Sequence, residues 1–324
     1  MKSIEELQGI ISKKINGFCE TNGDREIYQP INYILQLGGK RLRPALTLMA
    51  ANLFSDDIED AIYPALAIEV FHNFTLMHDD IMDKAPTRRG AKTVHEKWNS
   101  DVAILSGDAM MIQSYQLLMK TKTAKLPEIL KVFNQTALEV CEGQQQDMNF
   151  EKRDVVSFEE YEEMIRLKTS VLLAGGMKIG AMINGADDVA QQHLYDFAIN
   201  LGLSFQLMDD YLDSFGESSK TGKQIGGDVL SDKKTFLLIR AYEIANTEER
   251  KILDQYIGNI NADPTEKVNT ILSLFKKLRV DADVKNRAQH FLDRAFESLN
   301  ALDVNEARKI HICNLAESIS TRTH

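Results

Sequence analysis

The chain has 324 residues, 44% hydrophobic and 27% charged, and its 38 Lys plus Arg against 48 Asp plus Glu give a formal net charge of −10. That balance argues against disorder and leaves ample apolar material for a core, while the acidic excess weighs against a nucleic-acid partner, which asks for a basic surface. Three scattered cysteines (Cys19, Cys141, Cys313) without a CxxC spacing predict reduced thiols in a cytoplasmic protein, not a disulfide frame or zinc site.

The opening MKSIEELQGIISKK lacks the apolar run of a signal peptide; Ile4, Leu7, Ile11 and Ile15 recur at helical steps. Gly38-Gly39-Lys40-Arg41-Leu42-Arg43-Pro44 reads as a glycine-started turn entering a helix, where backbone N–H groups and guanidinium forks suit phosphate oxygens. The apolar run Val70 to Met77 reads as a buried helix ending in Asp79-Asp80-Ile81-Met82-Asp83. Four residues apart, Asp79 and Asp83 share a helix face, roughly 6 Å from each other. A polar loop, KAPTRRGAKT (84–93), follows with Arg88, Arg89 and Lys92. The greasy stretch Val171 to Ile183 carries Lys178 and two glycines and is too short to span a bilayer. Phe197 to Met208 leads into a second cluster, Asp209-Asp210-Tyr211-Leu212-Asp213. After it come the loop GESSKTGKQIGGD (216–228), with Lys223, and then Lys233-Lys234. Asp263-Pro264-Thr265-Glu266 marks a helix start, with an N-cap Asp, a Pro at the first helical position and a Glu at the third. No stretch alternates strictly enough for a sheet. The expectation is an all-α chain: one domain over 1–324, a single large helical bundle with a central cavity.

Three carboxylates in a half-buried place are costly unless a cation sits between them. Hard oxygen donors with no Cys or His beside them favour Mg²⁺, and EF-hand spacing is absent. One such cluster is an ordinary solvated helix end; two copies, each after an apolar helical stretch and each followed by cations, point to a polyanion held through metal bridges. A diphosphate is the simplest candidate.

GGKRLRP, DDIMD followed by RR, GQxxD (Gly143 to Asp147), Lys168-Thr169, FQLMDDYLD, TGK and DxxxDKKT occur in this order from Gly38 to Thr235. Together they resemble the trans-isoprenyl diphosphate synthase (polyprenyl synthetase) family, short-chain type, as in farnesyl and geranylgeranyl diphosphate synthases. The resemblance implies an isoprenoid synthase-like helical fold and Mg²⁺-dependent head-to-tail joining of isopentenyl diphosphate to an allylic prenyl diphosphate. It makes Asp79, Asp83 and Asp209 metal ligands, usually for three Mg²⁺ per active site. Asp80 supports the first pair, while Asp210 and Asp213 act directly or through water. Arg88, Lys168, Lys223 and Lys233 would contact the allylic diphosphate. Thr169 and Gln206 would line the reacting carbons, and Gln144 and Asp147 would form a supporting shell. Lys40, Arg43, His72 and Arg89 would form the isopentenyl diphosphate site, and the released diphosphate would take the final proton. A homodimer is also implied. By contrast, His78 and His95 read as ordinary structural histidines.

Product length in the family depends on side chains before the first motif. Phe74, at the fifth position before Asp79, with the smaller Thr75 at the fourth, leans to twenty carbons within a farnesyl-to-geranylgeranyl range. The rivals are a class I terpene cyclase and a non-catalytic partner subunit. A cyclase needs no second diphosphate site, and partner subunits tend to lose motif aspartates, whereas all six stand here.

Overall fold

The structure, a computed structural model, describes residues 1–216 and 225–320. Almost every element is helical. In chain order these are α1 (Ile4–Asn22), α2 (Tyr28–Gln36), α3 (Leu42–Phe54), α4 (Glu59–Met82), α5 (Val94–Lys97), α6 (Ser100–Leu118), α7 (Leu126–Phe150) and α8 (Phe158–Ile165). A π-helical turn, Arg166–Ser170, leads into α9 (Val171–Ile183) and α10 (Asp188–Phe215). The chain continues through α11 (Gly227–Leu230), α12 (Phe236–Ile244), α13 (Thr247–Tyr256), α14 (Pro264–Leu278), α15 (Val280–Asn300) and α16 (Glu306–Ser320). The all-α expectation holds with one small exception: β1 (Thr87–Arg88) and β2 (Ala91–Lys92) pair antiparallel, Thr87 with Lys92 and Arg88 with Ala91. Two residues per strand are too few to show an alternating pattern, so the hairpin is hidden in the sequence.

Capping explains many of the helix starts. Ser3 and Glu6, Ser157 and Glu160, and Asn246 and Glu249 form reciprocal capping boxes, each satisfying N–H groups that a helix leaves open. Asp263 caps α14 through the Glu266 N–H at 2.8 Å, with Pro264 at the first position, as the sequence predicts.

The chain divides into two compact units: residues 1–136, 172–195 and 302–312, and residues 137–171, 196–301 and 313–324. In the first, α4 is buried along much of its length, from Ala61 to Met77. Gly176 and Gly180 of α9 lie against Thr47 of α3, where a Cβ on Gly180 would strike the Thr47 carbonyl. Phe71 packs on Phe74 and on Phe133, with ring centroids 5.3 Å apart in each case. The second unit has its own core, in which Tyr161, Leu207, Phe275 and Val280 are nearly or fully buried. Burying each large apolar side chain is worth about 1.5–3 kcal/mol, so each unit has a hydrophobic reason to hold its polar site residues in fixed places.

Candidate active site

In the first unit the site is built on the C-terminal end of α4. Asp80 is buried, 2% exposed, and accepts from Arg88 Nε at 2.8 and 3.0 Å and from Nη2 at 2.7 Å. Burial pushes the Asp80 carboxyl above its usual range, and Arg88 pulls it part of the way back. Asp79, immediately before Asp80, is a 3.7 Å neighbour of Arg88, while Asp83 closes the helix by donating its N–H to the Asp79 carbonyl at 2.8 Å. The two outer aspartates thus stand at the helix end and the middle one points inward.

The GGKRLRP turn splits its three cations. Arg41 takes a left-handed conformation (φ 47°) and turns into the protein, where it pairs with buried Glu69 and donates to the Leu35 carbonyl. Asn73 completes that knot through Glu69 Oε1 at 3.1 Å. Arg43 points the other way, with Nη1 3.1 Å from His72 Nε2. A guanidinium only donates, so His72 accepts here and carries its ring proton on Nδ1. Burial, then Arg43, Arg89, Arg88 and Arg41 in turn, hold the His72 pKa well below its usual value. Burial, opposed by Glu69 and reinforced by Arg89, lowers Arg43 to about 10, and its Nε has no partner. Arg89, also left-handed (φ 54°), bonds the Gly38 carbonyl, and a Cβ on Gly39 would lie 2.8 Å from its guanidinium carbon. Glycine at 39 is therefore required twice, for its φ of 127° and for the space that Arg89 fills.

In the second unit the site gathers around a cavity of about 210 Å³ lined by Asp147, Tyr161, Lys168, Thr169, Gln206, Asp209, Asp210, Asp228 and Lys233, among others. The π turn carries Lys168 and Thr169, and such turns often mark functional sites. Gly143 of α7 lies so close beneath it that a Cβ would strike the Lys168 amide, which explains the glycine of GQxxD. Asp147 of the same motif pairs with Lys168 at 2.6 Å. Thr169 Oγ1 donates to Gln206 Oε1 at 3.1 Å, and Gln206 Nε2 donates to Asp210 Oδ1 at 3.1 Å. Tyr161 donates to Asp210 Oδ2. Burial and the nearby Asp228 raise Asp210 to about 8 against the opposing pull of those hydrogen bonds. Asp213 accepts the Asp228 N–H at 3.0 Å, which ties α10 to the start of α11.

The structure brings the sequence-derived residues together in two sets. Lys40, Arg43, His72, Asp79, Asp80, Asp83, Arg88 and Arg89 belong to the first unit; Lys168, Thr169, Gln206, Asp209, Asp210, Asp213 and Lys233 belong to the second. Lys223 lies outside the described residues. His78 is structural: its ring packs on Phe74 at 4.8 Å, over Gly107, where a Cβ would collide with it. Sequence reasoning missed Tyr161, Asp228 and the inward role of Arg41. Asp228 opens the DxxxDKKT motif and could have been found there; Tyr161 lies in a plain amphipathic helix with no such signal.

Among the described residues no three His, Cys, Asp or Glu side chains form a ready-made metal cage.

Two aspartate motifs at helix ends, the first with arginines beside it, in an almost wholly helical chain are the pattern of an isoprenoid-synthase class of enzyme. Within that class the chain belongs to the polyprenyl synthetase family, whose model matches residues 24–275. It is a trans-prenyltransferase. Over 324 residues it is 36% identical to a geranylgeranyl pyrophosphate synthase of Geoglobus acetivorans, covering 99% of this chain and 98% of that one. It is 38% identical over 259 residues to a short chain isoprenyl diphosphate synthase of Methanocaldococcus jannaschii, 79% of each chain. A crystal structure of a geranylgeranyl pyrophosphate synthase superposes with a TM-score of 0.95 at 40% identity, covering 99% of both chains.

Proposed function

We propose that this trans-prenyltransferase joins isopentenyl diphosphate head-to-tail to an allylic diphosphate with Mg²⁺ and releases a twenty-carbon prenyl diphosphate, with fifteen carbons as the shorter alternative. The observation that carries this reading is the cationic nest of Arg43 and Arg89 around a neutral His72, beside a carboxylate motif that has its own arginine. A single-substrate cyclase has no use for such a nest; a two-substrate condensation does. The product names of the relatives described above support the longer chain.

In this reading Asp79, Asp83 and Asp209 would hold Mg²⁺, which would supply Lewis-acid stabilisation of the charge on the departing diphosphate. Arg88, Lys168, Lys223 and Lys233 orient the allylic diphosphate. Lys40, Arg43 and Arg89 receive the isopentenyl diphosphate, and His72 donates Nδ1–H to a phosphate oxygen. The hydroxyl of Thr169, held by Gln206, turns its lone pairs toward the reacting carbons, where positive charge develops. Asp210 acts from beneath, fixing Gln206, and Asp213 fixes the segment that leads to Lys233. The proton lost at the end passes to the released diphosphate. Phe74, 8% exposed and braced by Phe71 and His78, closes the floor beneath the growing chain.

The whole chain then works as one prenyltransferase domain, and as a homodimer. Leu105, Ile112 and Met119 recur every seventh residue along α6 and at its end and are 58%, 61% and 67% exposed. A second copy of the same stripe covers them best. No helix among the described residues is long and apolar enough to cross a membrane.

The test is incubation of the purified chain alone with labelled isopentenyl diphosphate, each allylic primer in turn and Mg²⁺, followed by chromatography of the dephosphorylated products. A twenty-carbon alcohol is expected. Products of forty carbons or more overturn the length assignment. Absence of incorporation without a second protein favours the partner-subunit reading, and a cyclic hydrocarbon from the allylic primer alone favours the cyclase.

A further inference from the structure

A groove of about 990 Å³ opens in the first unit between α1, the N-terminal part of α4 and the C-terminal part of α6, and no residue of either aspartate cluster lines it. Its size reaches the upper end of small-molecule pockets, about 300–1,000 Å³. Ile10, Phe18, Ile62, Leu66 and Leu117 give it an apolar floor.

The rim is cationic in a chain whose net charge is −10. Lys13, Arg25 and Lys120 have no ion pair among the described residues, and the ammonium groups of Lys14 and Lys120 lie 5.7 and 5.4 Å from the Tyr63 ring. The carboxylates nearby are already engaged: Asp56 with Arg308 at 2.9 Å, Glu59 with Lys14 at 3.8 Å, and Asp57 with the Glu59 N–H at 3.0 Å.

A second observation points to a ligand. Gln113, only 8% exposed, lines the groove and donates Nε2 to Asn22 at 2.8 Å, which leaves its Oε1 buried with no donor. An unsatisfied buried acceptor costs about 1–3 kcal/mol. A water ordered beneath a bound anionic head, donating one hydrogen to Gln113 Oε1 and the other to the anion, supplies the missing donor.

We propose that this groove is a second, non-catalytic site for an anionic amphiphile of the prenyl phosphate class, with its phosphate head on Lys13, Lys14 and Lys120 and its chain along Ile62, Leu66 and Leu117. The enzyme's own product has this chemistry, so the site would sense product. Binding there is read directly and does not depend on the condensation assay.

The experiment is calorimetric titration of the full chain with geranylgeranyl diphosphate, with and without Mg²⁺. Two variants keep the fold. Gly17→Trp places a ring in the groove from a position where a Cβ meets nothing within 4 Å and where tryptophan favours the helix over glycine. Lys13→Glu with Lys120→Glu reverses the rim. The wild type should show two binding events per chain, one of them independent of Mg²⁺, and both variants should weaken that one by about tenfold or more with initial turnover unchanged. One event per chain, or unchanged binding in both variants, overturns the proposal. Equal affinity for inorganic diphosphate reduces the groove to a plain anion site, and equal affinity for oleate removes the phosphate requirement; either result overturns the assignment.

Discussion

The two aspartate motifs are near copies in sequence, yet the protein treats the middle carboxylate of each differently. Asp80 is met by the full charge of Arg88, whereas Asp210 is met by neutral donors, Tyr161 and Gln206, with the acidic Asp228 nearby. The first carboxylate stays close to an ordinary ion pair; the second climbs to about 8 and holds a proton at neutral pH. Spacing thus fixes where the carboxylates stand, and the neighbouring helices fix how much charge they carry. One motif combines carboxylates with a bound cation of its own; the other depends more on the charge that a ligand brings.

The largest test of this contrast is removal of the outer aspartates. Asp79→Ala and Asp209→Ala should each lower turnover by about a thousandfold, the scale expected when a charge-stabilising group is lost; steady-state rates at saturating Mg²⁺ measure it. A loss near unity for either would break the equivalence of the two motifs.

Stability should separate the middle carboxylates. Arg88→Leu leaves Asp80 buried without its cation and should cost about 3–5 kcal/mol. Tyr161→Phe removes one hydrogen bond from Asp210 and should cost about 1–3 kcal/mol. Urea unfolding in magnesium-free buffer checks both, and the reverse order would contradict the charge assignment.

Dependence on pH sharpens the same point. Folded Asp210 keeps its proton up to about pH 8, whereas the unfolded carboxyl releases it near its ordinary value of 3.8. Between these values the native state binds more protons than the unfolded chain, so this group makes stability fall as pH rises from about 4 to about 8, then level off. Asp210→Asn should flatten that slope in unfolding experiments across the window.

The smallest effect concerns product length. Phe74→Ala should add one or two five-carbon units, read by chromatography of the alcohols, with little change in rate; unchanged length would move the floor to another residue.

Much of this was legible in the sequence because helices with caps and periodic apolar faces announce themselves locally. The Asp263 cap and the helical run into Asp79 follow from residues within one or two turns. The motif positions were legible too, through their order. The direction of a side chain at a turn was not. Three cations crowd the GGKRLRP segment, and only the left-handed backbone at Arg41, facing Glu69 28 residues on, turns that one inward. Tyr161 was invisible for a similar reason: its partner Asp210 lies 49 residues away, and nothing near Tyr161 in the chain hints at it. The Thr87–Lys92 hairpin escaped because its strands are shorter than any pattern.

The wide turn at Arg166–Ser170 carries a liability of its own. A coil of that kind holds an extra residue compared with the regular helix on either side. Excising one residue just before Lys168 would let the coil tighten into regular helix, keeping α8 and α9 in phase while removing the bulge that presents Lys168 and Thr169. Every motif would survive in the text of such a deletion allele, yet Thr169 would lose its bond to Gln206 and Lys168 its bond to Asp147. A natural length variant here would look intact to any motif search and still be broken.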